Sequence, residues 1–166
     1  MSLPEQVLEA AYRRLEKPLY NYLFRWFWDP VECEDLIHDA FERIWKRRTQ
    51  VDPDRLDALV WTTTLNLARN QWRRGRRWRW LPLPDSLRSG QSPQRAAQLD
   101  ERDQRLRAAL ERLPPNEREV ILLDVFAGLG SKELASVLGI PKGTLASRKH
   151  TATARLTRLL EETDEQ

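Results

Sequence analysis

The stretch RLDALVWTTTLNLARNQWRR, residues 55–74, decides how the first half of the chain folds. At about 100° per residue, its apolar side chains fall into two separate stripes on a helix. One stripe contains Leu56, Leu59, Val60, Thr63 and Leu67, and the other contains Trp61, Leu65, Ala68 and Trp72. The strip between them is polar and contains Thr62, Asn66, Arg69 and Arg73. A helix that is apolar on two sides is predicted to lie between neighbouring helices, with only its polar strip left for an outside partner.

The neighbouring helices are predicted from the sequence that precedes this stretch. Apolar residues recur at helical steps from Leu8 to Trp26, and Pro18 is expected to kink or divide that helix. A second helix follows over 35–46, with one apolar side. Its opposite side carries the polar residues Asp35, His38, Asp39 and Glu42.

Two segments are predicted to be irregular. Residues 49–54 form a loop in which Pro53 holds Asp52 extended. Residues 75–98 are rich in glycine, proline and serine, which is typical of a linker. The chain is therefore predicted to form two small helical domains, 5–75 and 99–162, joined by a flexible linker over 76–98.

The second domain shows helical periodicity throughout, and no strand pattern occurs anywhere in the chain, so the fold class is all-α. Asn116 is expected to cap the helix that follows Pro114-Pro115. A short helix, SKELASVLG (131–139), is followed by a tight turn and by a last helix from Lys142 to about Glu161. This is the layout of a helix-turn-helix. The chain then ends in acidic residues that are predicted to fray: Glu161, Glu162, Asp164 and Glu165.

The second helix of a helix-turn-helix places its N-terminal residues against the base edges of DNA. Leu145, Ala152 and Leu156 are predicted to face the core. The N-terminus of this helix also offers backbone N–H groups to a phosphate. The polar residues left for DNA are Thr144, Ser147, Arg148, Lys149, His150 and Thr151.

A basic and aromatic cluster, NLARNQWRRGRRWRW, occupies residues 66–80. Its six arginines and three tryptophans are Arg69, Arg73, Arg74, Arg76, Arg77, Arg79, Trp72, Trp78 and Trp80. Arginine binds phosphate and stacks on bases, so the mixture indicates a nucleic-acid surface. The spacing favours core positions for Trp61 and Trp72. Two alternatives stay open: Trp78 and Trp80 contact either DNA or the linker, and the last three arginines bind DNA or only form a solvated surface.

Composition narrows the class of protein further. The chain has 166 residues with 28 Lys+Arg, 25 Asp+Glu and a net charge of +3, so its basic character is local. The single cysteine, Cys33, excludes an internal disulfide and suits a reducing compartment. No apolar run could span a bilayer and no signal-peptide pattern is present, so a cytoplasmic location is expected. His38 and His150 lie in no ligand cluster and no catalytic nucleophile is recognisable, which predicts no metal, no cofactor and no enzymatic activity.

Four passages carry a family resemblance that spans about residues 7–160. They are ECEDLIHDAFERIWKRR (32–48), LVWTTTLNLARNQWRR (59–74), LPPNEREVILLDVFAGLGSKELASVLGIPKGT (113–144) and TLASRKHTATARL (144–156). In this order and spacing they resemble a bacterial RNA polymerase sigma factor of the extracytoplasmic-function (ECF) subgroup of the sigma-70 family. The resemblance implies two modules, region 2 and region 4, which recognise the minus-ten and minus-thirty-five promoter elements and assist strand opening.

The resemblance also implies roles for residues of the first module. The helix 35–46 corresponds to the segment that docks on the clamp helices of the beta-prime subunit of core polymerase, through Asp35, His38, Asp39 and Glu42. The loop 49–54 corresponds to the one that receives a base flipped from the non-template strand. Asn66 and Asn70 match asparagines that face the minus-ten element. With the neighbouring polar and basic residues, the predicted minus-ten surface is Thr62, Asn66, Arg69, Asn70, Arg73, Arg74, Arg76 and Arg77.

In the second module, the resemblance places Ala146, Ser147, His150 and Thr151 opposite the minus-thirty-five bases. The predicted surface as a whole is Lys142, Thr144, Ala146, Ser147, Arg148, Lys149, His150, Thr151 and Arg155. The chain departs from the usual family pattern at Leu59, at the run 63–65 and at Ala146, so the usual promoter sequences are not expected.

The partners implied are core RNA polymerase, promoter DNA and an inhibitory anti-sigma protein, often membrane-anchored, in a response to stress; no small-molecule substrate is expected. The main alternative is a stand-alone helix-turn-helix regulator, which explains residues 113–160 but gives no use to the acidic face at 35–42. A DNA recombinase lacks a recognisable nucleophile, and a membrane-surface segment leaves the second domain unexplained.

Overall fold

The computed structural model describes the backbone of residues 2–80 and 99–165, and their side chains outside 76–80. The chain divides into two compact units, Met1–Gln91 and Ser92–Gln166. Within the described ranges, the secondary structure consists of seven α-helices and two short 3₁₀ turns, without a strand. The prediction of an all-α chain with two small helical domains is confirmed.

Three helices build the first unit: α1 (Glu5–Phe27), α2 (Pro30–Lys46) and α3 (Leu56–Trp80). Trp28 ends α1 in the left-handed region at φ 53°, and Asp29 begins α2 by accepting a hydrogen bond from the Val31 N–H at 3.1 Å. This abrupt connection lets α2 turn back along α1, and α3 packs against both helices.

The residues of α3 are buried on two sides, as the sequence predicted. Trp61 is fully buried, and the Tyr22 ring of α1 meets it edge-on with 5.8 Å between ring centroids. Trp72 is half-buried, and its ring centroid lies 5.7 Å from that of Trp26. The core position predicted for Trp61 is confirmed, and Trp72 packs on a buried aromatic ring of α1.

One stripe of α3 differs from its prediction. Leu59 and Thr63 are only half-buried, whereas Thr64, which was assigned to neither stripe, is fully buried. Val60, Thr64 and Leu67 therefore form the centre of this face. The stripe was predicted from hydrophobicity alone, which left out Thr64. This threonine is small and β-branched, and it is buried in the helix interface despite its hydroxyl group.

Pro18 was expected to kink or divide α1, and it does not divide the helix, which continues from Glu5 to Phe27. One predicted boundary was also wrong. The backbone of α3 runs to Trp80 instead of ending near Arg74, so residues 75–80 are helical where a linker was predicted. Residues 81–98, the rest of the predicted linker, lie outside the described residues, and the domain limits stay predictions.

The segment before α1 is attached to the turn that follows α2. Leu3 is buried, and its N–H donates a hydrogen bond to the Arg48 carbonyl at 2.8 Å. The Arg48 guanidinium lies 4.2 Å from the centre of the Trp45 ring and donates to the Trp45 carbonyl at 3.1 Å. These contacts hold the start of the loop between α2 and α3 against the helical core.

Four helices build the second unit: α4 (Glu101–Arg112), α5 (Pro115–Phe126), α6 (Ser131–Leu138) and α7 (Lys142–Asp164). Their core contains Leu110, Val120, Leu123, Leu134, Leu145 and Ala152. The cap of α5 is Pro114 and not Asn116 as predicted. The Asn116 side chain still accepts a hydrogen bond from the Glu117 N–H at 3.0 Å, inside the first turn.

The acidic C-terminal residues do not form a frayed tail. Glu161, Glu162 and Asp164 belong to α7, and Glu165 follows its last residue. Two of these acids pair with arginines of α4: Asp164 with Arg105 at 2.8 Å and Glu162 with Arg112 at 3.1 Å. Exposed pairs of this kind contribute only about 0–1 kcal/mol each. Together they keep the end of α7 alongside α4.

Replacing Trp61 with alanine is expected to lower the free energy of unfolding of the first unit by about 3–5 kcal/mol, because a large buried side chain leaves a cavity. All seven tryptophans lie between residues 26 and 80, so tryptophan fluorescence during urea unfolding reports on this unit alone. Asn66→Ala, on the exposed face of the same helix, is the control and should change the value by less than about 0.5 kcal/mol. Equal losses in the two variants would contradict the two-sided burial of α3.

Candidate nucleic-acid interface

The polar face of α2 is exposed along its length. Its four predicted contact residues lie opposite the buried Leu36, Ile37, Ala40, Phe41 and Ile44. Asp35, His38 and Glu42 are exposed, and the Asp39 side chain retains 44% of its accessible surface. The face thus presents three carboxylates and an imidazole on one rigid helix, which suits a basic protein partner.

Three of the four groups on this face have a local contact. Asp39 pairs with Arg43 at 3.0 Å and Glu42 with Lys46 at 2.7 Å, both one turn apart. The Tyr12 hydroxyl of α1 lies 3.1 Å from the His38 imidazole. Exposed pairs with this spacing contribute about 0.3–0.5 kcal/mol, so a partner could exchange them at little free-energy cost. Tyr12 was missed by the sequence analysis, because its link to α2 is a tertiary contact.

The outward strip of α3 carries the predicted DNA contacts. Asn66, Asn70, Arg73 and Arg74 are exposed. One guanidinium nitrogen of Arg69 donates a hydrogen bond to the side-chain amide oxygen of Asn66 at 3.5 Å. The structure therefore brings these side chains to one surface. Thr62 differs, since it is half-buried and its hydroxyl donates to the Ala58 carbonyl at 2.8 Å.

Two further arginines were predicted for this surface. The backbone of Arg76 and Arg77 lies in the last turns of α3, but their side chains lie outside the described residues. The same applies to Trp78, Arg79 and Trp80, so the alternatives stated for them stay open.

The loop between α2 and α3 is more ordered than the sequence suggested. It contains the 3₁₀ turns Arg48–Gln50 and Pro53–Arg55. Asp52 is extended, as predicted, and its carboxylate accepts a hydrogen bond from the Asp54 N–H at 3.0 Å. Val51 is buried and anchors the loop centre, while its polar residues stay at the surface.

The α6–turn–α7 unit has the predicted helix-turn-helix form. Gly139 ends α6 in the left-handed region at φ 68°, which glycine adopts without steric penalty. The N–H of Ile140 then donates to the Ala135 carbonyl at 3.0 Å and closes the turn. Leu134 and Leu145 are buried across the turn, so the two helices share one core.

The outward face of α7 holds most of the predicted DNA contacts. Six of the nine residues are exposed: Lys142, Ala146, Ser147, Lys149, His150 and Thr151. The other three are half-buried: Thr144, Arg148 and Arg155.

Two cations of this face also pair with carboxylates of α5. Lys149 lies 2.9 Å from Asp124, and Arg155 lies 2.9 Å from Glu117. Both acids were missed by the sequence analysis, because the pairing depends on how α5 and α7 pack.

Among the side chains that the structure describes, no group of three or more His, Cys, Asp or Glu is placed to hold a metal ion. Among the same residues, no helix combines the length and apolarity needed to cross a bilayer.

Cys33, the single cysteine of the chain, lies on the buried side of α2, opposite its polar face. Burial raises the pKa of Cys33 to about 12, and the nearby carboxylates of Glu32, Asp29 and Glu34 add to the rise. Burial likewise raises the pKa of Glu32, against the opposing effect of a hydrogen bond with Gln71 of α3. The Glu32–Gln71 contact ties the start of α2 to α3, close to the exposed strip.

A helical bundle with an amide-rich and arginine-rich strip, followed by a helix-turn-helix, defines a DNA-binding transcription protein with two recognition units. The chain matches two protein families along its length. Residues 11–79 match the family described as Sigma-70 region 2, and residues 103–156 match Sigma-70, region 4.

Curated relatives and solved structures agree with these matches. The RNA polymerase sigma-E factor of Streptomyces antibioticus is 32% identical over 82% of this chain and 74% of its own length. The ECF RNA polymerase sigma factor RpoE of Cereibacter sphaeroides is also 32% identical, over 75% of this chain and 70% of its own.

Two solved structures share the fold at lower identity. CnrH, in complex with the cytosolic domain of CnrY, has a TM-score of 0.72 at 23% identity and covers 96% of this chain and 90% of its own. The sigma factor RpoE, in complex with the anti-sigma factor NepR from Bartonella quintana, has a TM-score of 0.63 at 24% identity over 94% and 92%.

The chain belongs to the sigma-70 family of RNA polymerase sigma factors, and within it to the ECF subgroup. Its function is that of the family: a sigma factor binds core RNA polymerase and directs it to promoters. Sigma factors are regulatory components of transcription rather than enzymes in their own right.

Cys33 is expected to resist thiol reagents in the folded protein. With its pKa raised to about 12 and its side chain buried, almost no reactive thiolate is present at pH 8. Reaction with a chromogenic disulfide such as DTNB should be at least about a hundredfold slower than for the chain unfolded in guanidinium chloride, where the thiol pKa returns to about 8.5. Similar rates in the two states would show that α2 opens readily.

Proposed function

We propose that the polar face of α2 docks core RNA polymerase, that the outward strip of α3 recognises the minus-ten element, and that the outward face of α7 recognises the minus-thirty-five element. The observation that carries this proposal is the burial of α3 on two sides, which leaves its asparagine and arginine strip as the exposed surface. That strip and the helix-turn-helix provide two separate readers of one promoter.

Docking through α2 follows from the charges on its face. Asp35, Asp39 and Glu42 give it acidic character. The ion pairs of Asp39 and Glu42 within the helix are weak enough to be replaced by a partner's basic groups. The helix is rigid, because its other side is part of the core. A stand-alone regulator would have no need of such a face.

Recognition at the minus-ten element combines phosphate contacts with base contacts. Arg73 and Arg74 suit phosphate, and each phosphate contact contributes about −0.9 to the slope of log affinity against log salt concentration. Asn66 and Asn70 carry amides that can donate to and accept from base edges at once. The loop at 49–54 adjoins the same helix and would receive a flipped base.

Strand opening must offset stacking worth about 1.4 kcal/mol per base step. The described tryptophans of α3 do not serve as stacking platforms in this scheme, since Trp61 is buried and Trp72 packs on Trp26. The offset would instead come from the asparagine amides, the loop at 49–54 and the arginine contacts to the separated strand. The chain supplies binding energy alone, while bond formation belongs to the polymerase.

Recognition at the minus-thirty-five element places the first turns of α7 in the major groove. Ser147, His150 and Thr151 are exposed polar side chains on one face, next to exposed lysines that suit phosphate. Ala146 offers an apolar contact of the kind made with a thymine methyl group.

An inhibitory partner also fits this chain. The solved relatives CnrH and RpoE were each determined with a bound partner, and in the second case that partner is an anti-sigma factor. We extend this to an anti-sigma protein that covers the α2 and α3 surfaces, and that is anchored in the membrane while this chain acts in the cytoplasm with polymerase.

Asp39→Arg is expected to reduce co-purification of core RNA polymerase by about tenfold or more, because a like charge is placed opposite a basic partner. Glu101→Arg is the matched control, since it reverses the same charge and breaks an exposed pair one turn apart, with Arg105 at 2.9 Å on α4. Pull-down is compared at equal helical signal by circular dichroism. Unchanged capture by the Asp39 variant would remove α2 as the docking face.

Asn66→Ala and Arg73→Ala are expected to weaken promoter binding in different ways. The first should lose about 1–3 kcal/mol on the preferred minus-ten sequence and discriminate less at one base position. The second should weaken all sequences alike and lower the magnitude of the salt slope by about 0.9.

The measurement is fluorescence anisotropy of holoenzyme on labelled promoter duplexes at several salt concentrations. Lys17→Ala removes an exposed cation from α1 and serves as the control. If Lys17→Ala lowered the slope as much as Arg73→Ala, the α3 strip would not be the phosphate-binding surface.

A further inference from the structure

The recognition helix α7 is held to α5 by two ion pairs of different character. Lys149 pairs with Asp124 at 2.9 Å, with side chains that are 48% and 38% exposed. Arg155 pairs with Glu117 at the same distance, and here the cation is 40% exposed while the Glu117 side chain is only 10% exposed. Nothing in the sequence distinguishes the two cations. They differ in how exposed the carboxylate of the partner is.

Burial of the acid decides whether each cation can leave its partner. When Lys149 turns towards a phosphate, water solvates Asp124 and little is lost. When Arg155 leaves Glu117, a nearly buried carboxylate loses its neutralising charge, which is strongly unfavourable. Lys149 can therefore leave Asp124 for another anion at little free-energy cost, whereas Arg155 stays paired with Glu117 of α5.

The two pairs also define how α7 is turned about its own axis. Glu117 and Asp124 are seven residues apart, which is about two turns of α5, and their partners on α7 are six residues apart. The pairs connect the helices in antiparallel order. A rotation of α7 by one residue, about 100°, would break the Arg155–Glu117 pair and move Ser147 and His150 away from their present direction.

We propose that Arg155 is a positioning residue, which orients α7 through Glu117 and does not contact DNA, and that Lys149 is the cation that moves from α5 to a promoter phosphate. This inference rests on the proposed role of α7 in minus-thirty-five recognition. It removes Arg155 from the set of predicted DNA contacts and adds Glu117, a carboxylate, to the residues on which specific binding depends.

The experiment uses holoenzyme assembled from the full chain and core polymerase. Its probes are a labelled duplex selected by that holoenzyme from a random-sequence pool and a scrambled duplex of equal length. Affinity for both is measured over a range of salt concentrations, for the wild type and for Glu117→Gln, Arg155→Gln, Arg155→Lys and Lys149→Gln.

For the Arg155–Glu117 pair, Glu117→Gln and Arg155→Gln should each weaken binding to the selected duplex by about tenfold, with an unchanged salt slope and little change on the scrambled duplex. Their double variant should be no weaker than either single variant, since both remove one interaction. Arg155→Lys should restore part of the loss, because a cation again faces Glu117. Lys149→Gln should instead lower the magnitude of the slope by about 0.9 on both duplexes.

A lowered slope in Arg155→Gln, with wild-type binding by Glu117→Gln, would show that Arg155 is a phosphate contact and overturn the inference. Thermal melting followed by circular dichroism checks that each variant is folded at the temperature of the binding measurement. Should Arg155→Gln not fold, Glu117→Gln decides alone, since a phosphate contact at Arg155 predicts unchanged or tighter binding after this change. If wild-type holoenzyme selects no sequence from the pool, the proposed role of α7 fails, which is a separate outcome from an Arg155 that binds phosphate.

Discussion

Burial of α3 between two neighbouring helices is the constraint on which the first unit depends. Trp61 fills the contact with α1, and Val60 and Thr64 fill the adjacent face, so the helix cannot rotate without exposing a large apolar surface. The strip that holds Asn66 and Asn70 is consequently fixed in direction. In the proposed recognition of the minus-ten element this rigidity is needed, because the amides would have to meet base edges within hydrogen-bond distance.

The same principle acts differently in the second unit. There the core is smaller, and α7 packs through apolar residues such as Leu145 and also pairs through Arg155 with the nearly buried Glu117. Exposed pairs on α2 and at the end of α7 contribute little to stability and can be exchanged. In the proposed scheme, the burial of the carboxylate decides the role of each ion pair. A pair with a buried carboxylate maintains the fold, and a pair with an exposed carboxylate is available to a partner.

Much of this organisation could be predicted from the chain. Amphipathic periodicity located the helices, and glycine at 139 with the flanking apolar residues located the helix-turn-helix. Some local expectations differ from the structure for identifiable reasons. Pro18 lies inside α1 without dividing it, the last turns of α3 continue past Gly75, and the acidic end of α7 pairs with arginines of α4. In each case the local residue pattern predicted a break or a frayed end. The helix nevertheless continues, because local propensity is weak compared with the contacts made by the rest of the unit.

The sequence by itself determined the all-α class, the two helical units, the family and the polar face of α2, because these depend on periodicity and on motifs that are local along the chain. Only the tertiary structure decided what each charged group contacts. Glu117 and Arg155 are far apart in sequence, and nothing in their local patterns indicates that they meet at 2.9 Å. The free energy of an ion pair depends on the distance and burial of both groups, and both quantities exist only after the helices have packed.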